Sequence, residues 1–190
     1  MSALMSELVS ELAREAGYGV HEDDRGVRLA VSDGALVVSS AAGNYVVTTV
    51  GRGVVEGVDL ETTSGEALDR YLLLVVGAQW RDRRGLTAFR PAPAEAQGRP
   101  TPEVGGGRWR LRWRASAADP HDVVEERATL AWEADAEDLA RVLATPLDDL
   151  AASVRHPQEH PAGTRAAAAD VDVVVASYKD VAGAPLFTAR

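Results

Sequence analysis

At 190 residues, 46% hydrophobic and 26% charged, the chain has the size and composition of a globular protein able to bury a core. It contains no cysteine, which excludes disulfides, thiolate metal sites and a cysteine nucleophile. Its formal net charge of −9 repels phosphate backbones and suits a basic partner, so nucleic-acid binding is not expected.

The first predicted element is an amphipathic helix. Leu4, Leu8, Val9 and Leu12 recur at helical spacing opposite Ser6, Glu7, Ser10 and Glu11, and Gly17 supplies the C-terminal cap. Glu7, Glu11 and Glu15 deprive this segment of the basic start and apolar middle of a signal peptide. The longest apolar runs, Ala35–Val38 and Leu72–Ala78, fall far short of a membrane span, so a cytoplasmic protein with no membrane partner is expected.

The periodicity then changes to two. Val27, Leu29 and Val31 read as a strand, Asp33-Gly34 as a turn, and Ala35–Ser40 as the returning strand. Gly43-Asn44 turns the chain into Tyr45–Val50, and Gly51-Arg52-Gly53 leads to a fourth strand, Val54–Thr62. Ser64 is placed to cap a second helix, with Leu68, Tyr71, Leu72, Val75 and Val76 on its apolar face and Gly85 as its stop. Residues 1–90 therefore read as a helix–four strands–helix unit.

Pro91–Gly107 holds four of the nine prolines and reads as a linker or exposed loop. After it, Arg108–Arg114 alternates strictly, with Trp109, Leu111 and Trp113 on one face and four arginines on the other. Asp119-Pro120 marks a turn and Val124–Trp132 the matching strand. Asp135 is expected to cap a helix carrying Leu139, Val142, Leu143, Leu147 and Leu150, with Pro146 as a kink or break. A valine-rich strand is expected at Val171–Tyr178. Residues 108–190 are read as continuing the same fold. The expected class is α+β: an antiparallel sheet meander flanked by helices, in two layers.

Charge is segregated. Gln79–Arg114 carries nine arginines against three acids, and Asp119–Leu150 carries ten acids against two arginines. Either the two stretches pair within the fold or the second forms an acidic binding face. A nucleic-acid platform on Arg108–Arg114 is disfavoured because its tryptophans lie opposite its cations, whereas stacking platforms present both together. Pairing of the arginines with Glu125 and Glu133 on the next strand is expected instead.

No reaction chemistry emerges. His156-Pro157-Gln158-Glu159-His160 matches a zinc-peptidase string, but both histidines precede prolines, which bars the helix that the metal site needs. Gly51-Arg52-Gly53 lies between antiparallel strands rather than before a helix, and reads as a hairpin turn instead of a phosphate cradle. No catalytic residue, metal site or cofactor is expected, and the protein is read as a non-enzyme.

One stretch adds more. Glu15-Ala16-Gly17-Tyr18, the meander, Leu68-Asp69-Arg70-Tyr71-Leu72 and Gly77-Ala78-Gln79-Trp80-Arg81-Asp82-Arg83-Arg84-Gly85-Leu86 together resemble the immunity protein 61 family of bacterial polymorphic toxin systems. That family is similar to the antitoxin of the tuberculosis necrotizing toxin, an NAD-glycohydrolase. The resemblance covers roughly Leu4 to Leu86. It implies a protein that occludes the active site of a cognate toxin. Such an active site would be electropositive, and acids at Glu22, Asp23, Asp24, Glu56, Asp59 and Glu61 would then be the contacts. A secretion chaperone or adaptor, binding an exported client, is the alternative for the same helix–strands–helix order.

Overall fold

The computed structural model describes residues 4–91, 101–102, 107–116 and 123–156. All of them lie in a unit spanning Met1–Gln158; Glu159–Arg190, including the expected strand Val171–Tyr178, is outside the described residues, as is the Asp119-Pro120 turn.

Helix α1, Glu7–Glu15, starts where the Ser6 side chain accepts the Val9 N–H. It ends in a Schellman motif, with Tyr18 N–H donating to Ala13 O, Gly17 N–H donating to Arg14 O, and Gly17 at φ 83°. A meander follows: β1 Gly19–Asp23, β2 Gly26–Ala30, β3 Gly34–Ala41, β4 Asn44–Gly51 and β5 Val54–Thr62. It has five strands, not the expected four. The extra strand, β1, is an exposed edge built from Gly-Val-His-Glu-Asp, so it carries no apolar alternation to reveal it. The turn expected at Gly43-Asn44 sits at Ala42-Gly43, both at positive φ, as the right-handed twist of a two-residue hairpin requires.

Helix α2, Gly65–Asp82, is capped by the Ser64 hydroxyl, which accepts the Ala67 N–H at 3.3 Å. A second Schellman motif, around Gly85 at φ 64°, closes it. The two-residue strand β6, Thr101–Pro102, then β7, Trp109–Ser116, and β8, Val123–Leu130, complete one open sheet in the order β1-β2-β3-β4-β5-β8-β7-β6. β8 joins the meander through Leu60↔Leu130, Glu61↔Thr129 and Thr62↔Ala128. Helix α3, Glu133–Val142, begins at Trp132, so Asp135 sits in its first turn and is not the cap. Pro146 splits the expected single helix and opens α4, Leu147–Arg155, because it cannot donate the N–H that continuity requires.

The four helices cover one face of the sheet. Val27, Leu29, Val38, Val47, Leu60, Leu111 and Leu130 point into a single core with Leu12, Leu68, Leu72, Leu139 and Leu150. Trp113 is on this buried side, where its Nε1–H donates to Glu126 directly across the hairpin at 2.9 Å. The α+β, two-layer architecture is therefore as the residue pattern implies.

Two arginines of α2 hold the C-terminal helices. Arg70 Nε donates to Val142 O and Thr145 O, both at 3.1 Å, at the end of α3. Arg81, fully buried, donates from Nη1 to Val154 O at 2.8 Å and His156 O at 2.7 Å, at the end of α4, and from Nε to Thr87 O. Each guanidinium thus meets carbonyls at the C-terminal end of a helix, the negative end of its dipole. α2 and α4 approach closely at Gly77, where an added Cβ would lie 2.6 Å from Val154 Cγ1. Glu15 ties α1 to both, accepting from Trp80 Nε1 at 2.9 Å and Arg155 at 2.8 Å. The Arg155 hydrogen bond holds Glu15 below its usual range.

Candidate partner-binding edge

The six acids singled out in the sequence do not converge. In an antiparallel meander successive turns alternate between the two ends of the sheet, so Glu22, Asp23 and Asp24 at the β1–β2 turn lie at the opposite end from Glu56 beside the β4–β5 turn. Asp23 is engaged in building its turn, its Oδ1 accepting Arg25 N–H at 2.8 Å and Gly26 N–H at 3.1 Å. Glu61 is on the open face of the sheet, 3.7 Å from Arg108 Nη1.

Glu56 and Asp59 share a feature that no composition argument anticipates. Register between β4 and β5 slips twice, from Val47↔Leu60 to Thr48↔Val58 and from Thr49↔Gly57 to Val50↔Val55. Asp59 and Glu56 are the extra residues at these two β-bulges, which re-aim side chains and bend the strand. Asp59 is half-buried and accepts the Thr49 hydroxyl. Burial raises the Tyr71 phenol and the Asp135 carboxyl, and the Asp59 charge adds to both, which places it near α2 and α3.

The bulged half of β5 has a free edge. β8 pairs with β5 only from Leu60 to Thr62, and among the described residues no other strand flanks Val54–Asp59 on that side. The last link is Ala131 N–H to Asp59 O at 3.0 Å, which sets Trp132 where the free edge begins. Among the described residues the exposed large hydrophobics gather here: Val54 is 66% exposed, Val55 65%, Val58 38% and Trp132 46%. An apolar strand edge with unpaired backbone groups is a template for another chain, and a tryptophan at its end is a typical binding anchor. A hollow of about 290 Å³, lined in part by Tyr18, Asp33, Leu36, Val50, Glu56 and Val75, opens at the same end of the sheet.

Acids rim this edge: Glu56, Asp59 beneath it, and Glu133 and Asp135 on the first turn of α3. Burial, and then the nearby Asp138 and Asp59 carboxylates, hold Asp135 above its usual range, even though a helix N-terminus favours a carboxylate. A raised folded-state pKa means that ionising Asp135 at neutral pH costs stability, and the cost disappears as pH falls through the folded value to the unfolded one. Asp135→Asn is therefore expected to raise the melting temperature at neutral pH, with the gap to the wild type closing as pH falls into the ordinary carboxylate range. Thermal melts across a pH series would check this; a lower melting temperature for the variant at neutral pH would contradict it.

Sequence reasoning missed the edge because β5 reads as a complete strand; only the length of β8 exposes half of it. His156, part of the zinc-like string, is the C-cap of α4 in extended conformation, and Arg81 takes its carbonyl; the rest of that string is outside the described residues. Among the described residues no group of acids and histidines is arranged to hold a metal, and no helix is long and apolar enough to cross a membrane.

Comparison with known proteins gives two findings. A family model described as immunity protein 61 matches residues 12–162. The solved structure of Rv3902c from M. tuberculosis superposes with a TM-score of 0.63 at 22% identity, covering 82% of this chain and 91% of the other. At that identity the likeness concerns the fold. No curated protein matches the chain.

Proposed function

We propose, since the chain belongs to the immunity protein 61 family, that it neutralises a cognate toxin by seating the free edge of β5 and Trp132 against the toxin's active site. The single observation that carries the binding site is the gathering of Val54, Val55, Val58 and Trp132 on an unpaired strand edge. Apolar anchors supply most of the affinity in such contacts, and surrounding charges set approach and orientation. The net charge of −9, with Glu56, Asp59, Glu133 and Asp135 around the anchors, suits an electropositive cleft of the kind that binds an anionic dinucleotide. An NAD-glycohydrolase is therefore the toxin activity proposed. The mechanism is stoichiometric occlusion in the cytoplasm, with no catalytic residue in the inhibitor. Glu22, Asp23 and Asp24, at the far end of the sheet, are left outside this contact.

The test is co-expression with a toxin domain encoded beside the gene, followed by purification and an assay of NAD consumption. A one-to-one complex with activity abolished is expected. No complex, with toxicity undiminished, would overturn the immunity reading. The free edge also suits an extended client segment, as a secretion chaperone would hold, and binding that survives unfolding of the partner would favour that second reading.

A further inference from the structure

The helices leave part of the inner face of the sheet uncovered, and the space there is the hollow of about 290 Å³ near the β4–β5 turn. Its floor holds Leu36 and Thr49, cross-strand neighbours that continue the inward face of Val38 and Val47. Tyr18, after α1, and Val75, on α2, are half-buried and line it with apolar surface. Two carboxylates line the same space, Asp33 from the β2–β3 turn and Glu56 from the second bulge of β5. The meander brings them together, because the β2–β3 and β4–β5 turns lie at the same end of the sheet, where Gly34 pairs with Gly51.

Glu56 reaches this position because residue 51 is glycine. A Cβ on Gly51 would lie 2.0 Å from Glu56 Oε1, so the carboxylate takes the room that any side chain there would fill. Neither acid has an ion-pair partner among the described residues, although Arg52 stands in the β4–β5 turn. The Asp33 carboxylate accepts only the Ser32 hydroxyl, at 3.3 Å.

Size and lining together select the occupant. Sites for whole small molecules run from roughly 300 to 1,000 Å³, so this hollow suits a single side chain. An apolar side chain would cover the carboxylates with nothing to offset their lost hydration, and an acidic one would be repelled. Lysine and arginine carry an apolar stem behind a charged head, which matches apolar walls beside two unpaired acids.

We propose that the hollow is a socket for one lysine or arginine side chain of a protein partner, whose identity as the toxin rests on the immunity reading. The protein then grips its partner by the apolar edge of β5 and by a keyed ionic contact at the same end of the sheet. Contacts of this second kind fix register and orientation more than they add affinity.

The first test titrates the full chain with Nα-acetyl-arginine amide and follows the backbone amides by NMR. Saturable shifts are expected at Gly34, Thr49 and Gly51, with affinity weakened roughly three- to thirtyfold by Asp33→Asn with Glu56→Gln. Both acids are exposed, so this variant is expected to fold as the wild type does. Gly51→Ala is expected to weaken binding too, since it keeps both charges but displaces the Glu56 carboxylate. Glu22→Gln with Asp24→Asn, which removes two charges at the far end of the sheet, is expected to leave the affinity unchanged. No shift at the hollow, equal binding of the uncharged Nα-acetyl-norleucine amide, or wild-type affinity in Gly51→Ala and the Asp33/Glu56 variant would overturn the proposal. So would tighter binding of putrescine at the same residues, which would make the occupant a free polyamine.

The second test places Asp33→Asn with Glu56→Gln, and separately Gly51→Ala, in the toxin complex. A complex loosened by both supports the toxin as the source of the side chain. An unchanged complex removes the toxin from the hollow but leaves the immunity reading and the β5 edge intact. No complex even with the wild type sinks the immunity reading and with it the toxin as source, while the amide titration decides the socket.

Discussion

Substituting Arg81 with alanine is expected to lower folding stability by about 3–5 kcal/mol, the scale for breaking a buried charged hydrogen-bond cluster from one side. The side chain is fully buried, and it serves the carbonyls of Thr87, Val154 and His156. Truncation leaves those acceptors without a donor and opens a void between α2 and α4 where Gly77 already permits close packing. No carboxylate pairs with Arg81 among the described residues, so its charge is held by carbonyl oxygens and by the negative end of α4. One nitrogen, Nη2, has no partner among the described residues, a cost that the other three bonds offset. Arg81→Lys is expected to recover only part of the loss, because an ammonium cannot reach acceptors placed for a planar fork. Urea denaturation would measure this, and a change under about 1 kcal/mol for Arg81→Ala would refute the fastening role.

The second large effect concerns binding. Trp132→Ala is expected to weaken the toxin complex by about 2–4 kcal/mol, roughly 30- to 1000-fold in Kd. Folding stability should change by less than about 1 kcal/mol, since the side chain is 46% exposed and makes no cap hydrogen bond to α3. Val55→Lys, which places a solvated charge on the same edge, should act in the same direction without touching the core. Calorimetric titration of the purified toxin domain with the folded variants would decide it. Unaltered affinity in both variants would move the contact off the β5 edge and leave toxin neutralisation itself untouched.

Much of the fold was legible because it is locally encoded. Gly17 and Gly85 each occupy the left-handed position that a Schellman motif needs, and Ser64 meets the one backbone donor that a hydroxyl there can reach. Val54–Thr62 was located to the residue, since turn chemistry at Gly51-Arg52-Gly53 and the cap at Ser64 bracket it. The strict alternation of Trp109–Trp113 buried Leu111 and Trp113, half-buried Trp109 and set the arginines on the other face, as pleating demands. β1 escaped notice because an edge strand that turns only Val20 toward the core has no apolar rhythm.

The candidate site was much less legible. Acidic residues could be named from sign, but their positions depend on two register slips in β5 that put Glu56 and Asp59 on bulges and send Asp59 beneath the sheet. A one-residue slip reverses which face a side chain joins, and nothing local to the strand announces it.

By itself, the sequence determined the order of helix, meander and helix, the capped ends, the buried side of β7 and the acidic balance that suits a basic partner. These follow from backbone conformational preference and from apolar periodicity, which act over a few neighbouring residues. Only the tertiary structure decided that β8 leaves β5 after Leu60, that Arg112 faces Arg127, and that Arg70 and Arg81 seize the ends of α3 and α4. Each of these joins residues 15 to 75 positions apart. Such contacts are chosen by competition among whole-chain packings for the same buried surface, so the physical reason they escape sequence reasoning is that no local segment carries their energy.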